Sequence, residues 1–176
     1  MSIVQVYLSH LWAVGTHLPA LLLAVQAAPG PILELGCGGF STALLHGLSN
    51  ALRPVVSVES KRGWYDRLKG LASPVHRFVL LQDGNSDDFA DEIGLRHWAV
   101  VFVDGSPADG RAAWIHWARD KADMVVVHDT EPESRKLYAG VEEALASYAY
   151  RIDFPHALPW TSVVSEKPIA LEGCTT

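Results

Sequence analysis

Pro31-Ile32-Leu33-Glu34-Leu35-Gly36-Cys37-Gly38-Gly39-Phe40-Ser41-Thr42 decides the fold. The apolar run 32–35 breaks into three glycines and leads into the helix-forming stretch 41–48, a strand, tight turn and helix in that order. Glycines at 36, 38 and 39 let the main chain take left-handed dihedrals and let a ligand approach it, and the unpaired N–H groups at the helix start face the same space. A turn that binds nothing would account for the glycines. It would not account for Glu34, placed inside the strand two residues before Gly36, where a buried carboxylate is costly unless something meets it.

Around this stretch, 176 residues suffice for one domain with one core. A net charge of −6, with Lys and Arg scattered, argues against nucleic acid as partner; Lys61, Arg62, Arg67 and Lys69 read as the solvated face of a helix. Two cysteines, Cys37 and Cys174, build neither a disulfide framework nor a zinc site, which fits a reducing, cytoplasmic compartment, and the eight histidines show no HExxH spacing. The apolar patch 18–28 has no Lys or Arg before it and is interrupted by Gly15, His17 and Pro19. It reads as a helix packed on the sheet, neither leader nor membrane span.

Further along, strands are expected at 54–59, 76–81, 98–104 and 123–130, with closing strands at 149–154 and 161–165. The first ends in Glu59, 25 positions after Glu34, where a carboxylate offers two acceptor oxygens for vicinal ribose hydroxyls. The second leads into Asp83, Gly84, Asp87 and Asp88, the last two suited to helix caps. Residues 98–104 are nearly all apolar and end in Asp104; the helix that follows carries Trp114 and Trp117, which read as core. The fifth strand ends in His128-Asp129-Thr130, and Thr130-Glu131-Pro132-Glu133 matches a capping box for a helix running to about 147.

The stretch 34–42 lacks the third glycine of a nicotinamide dinucleotide fingerprint, which would stand where Ser41 is. It resembles instead the first motif of class I S-adenosylmethionine-dependent methyltransferases, in the subgroup with Ser-Thr after the glycines; Phe40 departs from the commonest pattern. Val101-Phe102-Val103-Asp104-Gly105-Ser106 and Val125-Val126-Val127-His128-Asp129-Thr130 resemble the fourth- and fifth-strand motifs of small-molecule and sugar O-methyltransferases in that family. The resemblance spans roughly 31–165 and implies an α/β fold. This is a Rossmann-like seven-stranded sheet of order 3-2-1-4-5-7-6, strand 7 antiparallel, helices on both faces. Residues 1–30 then form an N-terminal helical lid segment, with Tyr7, His10, Trp12 and His17 as its polar and aromatic groups, and 166–176 a C-terminal tail.

The same resemblance implies S-adenosylmethionine as cofactor. It places cofactor contacts at Glu34, Gly36, Cys37, Gly38, Ser41 and Thr42, the ribose at Glu59 beside Ser60, and adenine near Asp83 and Gly84, with Asp104 bordering both cofactor and acceptor. Asp104, His128 and Asp129 are the catalytic candidates, Asp104 or His128 removing a proton from an acceptor hydroxyl. Mg²⁺ shared by Asp104 and Asp129 is the minor alternative to a metal-free site. The expected function is methylation of a small-molecule or sugar hydroxyl, with a neighbouring subunit free to close the site. A lyase or hydrolase of S-adenosylmethionine and a non-catalytic binder of it are the competing readings.

Overall fold

The computed structural model describes residues 15–81, 93–94, 96–105 and 110–171, apart from the side chain of Arg135. In chain order these form helix α1 (Leu18–Ala27), strand β1 (Ile32–Leu35), α2 (Ser41–Leu48), β2 (Val55–Glu59), α3 (Arg62–Leu68), β3 (His76–Leu80), β4 (Trp98–Val103), α4 (Gly110–Ala118), β5 (Ala122–His128), α5 (Val141–Ala146), β6 (Tyr150–Phe154) and β7 (Thr161–Ser165). Seven strands make one sheet of order β3-β2-β1-β4-β5-β7-β6, with β7 antiparallel to its neighbours, the order the sequence motifs imply. Every residue of β1, β2 and β4 is buried, as parallel strands covered on both faces require.

Side chains alternate between two cores. Leu33, Leu35, Val56, Val58, Val101 and Val103 pack toward Ile115 and Ala118 of α4 and Leu145 of α5. Ile32, Val55, Val100 and Phe102 face the other way, toward Leu21 and Val25 of α1 and Leu45 of α2. By the same period Glu34 and Ser57 point to the α1 face, and they are register partners across β1 and β2. A buried acid thus lies beside a buried hydroxyl. Helix α1 packs on β4, β5 and β7, with Leu21 wholly enclosed; truncating it to Ala would cost about 2–5 kcal/mol.

One expectation is overturned. No single helix follows β5: a short 3-10 turn, Pro132–Lys136, is separated from α5 by Gly140, whose φ of 79° lies in the left-handed region and whose Cβ would stand 3.2 Å from that of Ala112. The capping box does not form either. The Thr130 hydroxyl accepts from Ser162 Oγ across the sheet at 2.8 Å, while the Glu131 carboxylate accepts from Ser134 Oγ and from the Trp160 amide. Tertiary contacts to β7 and its loop outcompete the local pattern.

Candidate functional site

The carboxyl end of β1 runs into Gly36 at φ 101°, where a Cβ would lie 2.4 Å from Gly105 Cα. Only glycine lets the turns after β1 and β4 pass main chain to main chain. Glu59, 4% exposed at the end of β2, braces the glycine turn: Oε2 accepts from the Cys37 amide at 2.9 Å and Oε1 from the Lys61 amide at 2.6 Å. From below, the Gly38 amide donates to Thr42 Oγ1 at 3.0 Å, and that hydroxyl donates to Glu34.

Glu34 is wholly buried. Burial pushes its pKa up to about 7, offset only in part by the hydroxyls of Ser41, Ser57 and Thr42. What meets the strand acid is therefore a set of hydroxyls, Ser57 Oγ at 2.5 Å among them, and they join it to the loop it supports. Ser57 Oγ also lies 2.8 Å from His76 Nε2.

Beside the turn an open cleft is lined by Leu35, Gly36, Val58, Ser60, Leu81, Gly105 and Trp114. Trp114 packs against the core and edge-on to Trp117, as the sequence reading has it, but it also forms a wall of this cleft. Cys37 is a buried filler whose amide does the work. Ser41 and Thr42 are buried at the start of α2, and Ser60 is exposed. Asp83 and Gly84, with Asp87 and Asp88, lie outside the described residues, as do Tyr7, His10 and Trp12.

Across the sheet, at the ends of β4 and β5, Asp104, His128 and Asp129 come together around Arg111. This arginine is 4% exposed, on the α4 stripe that also carries Ile115 and Ala118. Its Nη2 lies 3.0 Å from Asp104 Oδ1 and its Nη1 3.0 Å from Asp129 Oδ2; it also donates to the carbonyls of Gly105 and His128, and its plane lies 4.0 Å over the Tyr138 ring. Asp129 takes a φ of 58°, which Asp tolerates better than most residues, and accepts from the Tyr138 hydroxyl. Burial alone would raise the Asp104 pKa, but the His128 hydrogen bond and the charges of His128 and Arg111 outweigh it and hold the carboxyl below the usual range.

Arg111 also bears on the Mg²⁺ alternative. The cation shared by Asp104 and Asp129 is a guanidinium, so a divalent ion between them would face a fixed positive charge.

His128 is oriented from behind. Thr16 Oγ1 donates to the Pro159 carbonyl at 2.8 Å, so at 2.9 Å from His128 Nε2 it accepts, which fixes the proton on Nε2. Nδ1 then faces Asp104 Oδ1 at 3.3 Å and Asp129 Oδ1 at 3.6 Å. His17 stacks edge-on against this ring with centroids 4.7 Å apart, 2% exposed, and neither of its nitrogens has a hydrogen-bond partner among the described residues. Burial, then the charge of His128, lowers its pKa to about 4 against the pull of Asp104.

The structure brings Asp104, His128 and Asp129, the catalytic candidates of the sequence, into one cluster. Sequence reasoning passes over Arg111 and Thr16, and takes His17 only as a lid group. The available signal for Arg111 was an arginine three and four positions from the tryptophan and isoleucine of a buried helix stripe.

No family model matches the sequence, and no curated protein does. Solved structures do resemble it. The O-methyltransferase TomG from Streptomyces achromogenes, involved in tomaymycin synthesis and solved with SAM, aligns with a TM-score of 0.62 at 18% identity, over 86% of this chain and 78% of that one. An O-methyltransferase from Bacillus cereus in complex with SAH gives 0.60 at 14% identity, over 94% and 82%. A spermidine synthase bound to the transition state analogue AdoDATO gives 0.62 at 12% identity, over 87% and 61%. The fold of this chain is the class I methyltransferase fold. Among the described residues no helix is long and apolar enough to cross a membrane.

Proposed function

We propose that this chain transfers a methyl group from S-adenosylmethionine to a hydroxyl of a small molecule or sugar. One observation carries the reading: a braced glycine turn with its cleft, and a carboxylate–imidazole cluster, meet at the same edge of the sheet, where α/β folds bind ligands.

The residues present fit the cofactor. Gly36 and Gly38 expose main chain, the Glu59 carboxylate keeps lone pairs beyond its two amide bonds for ribose hydroxyls, and Leu81 and Trp114 supply apolar walls. When bound, the cofactor supplies a methyl group already activated by its sulfonium. What remains for the protein is to align the acceptor and remove its proton. His128 Nδ1, its other nitrogen held by Thr16, takes the proton as the acceptor oxygen takes the methyl group. Asp104 and Asp129 stabilise the imidazolium so formed, and Arg111 holds both carboxylates in place.

The test is incubation with S-adenosylmethionine labelled in its methyl group and a panel of hydroxylated small molecules and sugars. The reading expects a labelled acceptor and the demethylated cofactor in equal amounts. Consumption of cofactor in the absence of any acceptor would point to lyase or hydrolase chemistry instead.

A further inference from the structure

We propose that His17, Asp104 and His128 form a binding site for a borderline divalent transition cation of the Zn²⁺ or Co²⁺ kind. The inference does not rest on the methyl-transfer reading.

The three side chains each offer one ligand atom, and these atoms all lie within 4.8 Å of one another. Bonds of about 2.0–2.2 Å set the ligand atoms of a tetrahedral metal roughly 3.5 Å apart, so a bound ion would draw the three side chains together. His17 supplies an independent pointer. Its ring is 2% exposed and both nitrogens are buried without a partner among the described residues, a state that costs free energy unless something occupies the lone pair.

His128 shows the outer arrangement expected of a metal-bound imidazole. Its Nε2–H is tied to Thr16 Oγ1, itself anchored on the Pro159 carbonyl, so Nδ1, 3.3 Å from Asp104 Oδ1, is the nitrogen that would exchange a proton for a metal. Arg111 and His128 both engage Asp104 Oδ1, so these two contacts leave Oδ2 unused.

Ligand chemistry chooses the metal. Two imidazoles and one carboxylate suit Zn²⁺, Co²⁺ or Ni²⁺, whereas Mg²⁺ prefers an oxygen shell. The site therefore differs in both ligands and metal from a Mg²⁺ held by Asp104 and Asp129. An ion bound here would take the same Nδ1 lone pair proposed to receive the acceptor proton, so ion and proton compete for one atom.

The test uses the whole chain without cofactor or acceptor. Zn²⁺ and Mg²⁺ are titrated by calorimetry, and Co²⁺ is followed by its visible absorption, in the native chain and in His17→Ala and Asp104→Asn. The expected result is one Zn²⁺ per chain, no Mg²⁺ at that site, a tetrahedral or five-coordinate Co²⁺ spectrum, and Zn²⁺ affinity weakened by about tenfold or more in each variant. Circular dichroism establishes which variants fold, and either one alone is sufficient. Absence of Zn²⁺ binding overturns the proposal. So does binding unchanged by a folded variant, which would assign the ion to exposed histidines such as His97, His116 or His156.

Discussion

Glu34, wholly buried inside β1, and Asp104, half-buried just past the end of neighbouring β4, are acids whose surroundings move them in opposite directions. Glu34, inside β1, is met by hydroxyls and by no guanidinium or ammonium among the described residues, and its pKa rises to about 7. Asp104, just past the end of β4, is met by Arg111 and His128, and its pKa falls. In the half of the site built on β1 and β2, carboxylates brace hydroxyls and amides and shape main chain for binding. The half built on β4 and β5 concentrates charge where a proton must move.

That division gives graded expectations. The largest concerns the charged half: His128→Gln, whose amide nitrogen can stand near Nε2 and donate to Thr16, offers no base, so turnover on an identified acceptor should fall about 10²–10⁴-fold while cofactor affinity stays unchanged. A parallel loss of cofactor affinity would mean that the two halves are not separate.

Next is Arg111→Met, which removes the cation from two carboxylates and should cost about 3–5 kcal/mol of stability in urea denaturation. Arg111→Lys should recover little of this, because an ammonium cannot reach both acids and stack on Tyr138 as the planar guanidinium does. Full recovery by lysine would reduce the arginine to a point charge.

The β1–β2 half carries a smaller effect with a definite sign. Glu34 has an ordinary pKa of 4.5 and a folded value of about 7, so between those pH values the folded chain holds a proton that the unfolded chain releases. Its contribution to stability is present below pH 4.5 and lost as pH rises toward 7. In Glu34→Gln that slope is absent, and the stability of the variant relative to the native chain should climb across the window by at most about 1.4 kcal/mol per pH unit. His17 and His76, both lowered from 6.5 to about 4, slope the other way but are common to both proteins and cancel in the difference. A difference that stays flat with pH would show that Glu34 is ionised in its pocket.

The strand ends were legible in the sequence because an apolar run that stops at an acid is a local signal; Glu59, Asp104 and His128-Asp129 all announce themselves this way. Arg111 was not, since its reason for burial is two carboxylates on two other strands, and nothing within α4 reports them. The same holds for Thr16, which meets His128 from 112 residues away. Thr130 misled for the converse reason. Its neighbours spell a helix cap, but Ser162 reaches it across the sheet and Gly140 ends any continuous helix.

Calorimetry with S-adenosylhomocysteine, on the native chain and on Glu59→Ala, tests the central claim most directly. Glu59 braces the glycine turn through Cys37 and is the proposed ribose acceptor, so the expected result is one ligand per chain, weakened by about 1.5–3 kcal/mol in the variant, and no binding of NAD. Tight NAD binding with no response to S-adenosylhomocysteine or S-adenosylmethionine would contradict it.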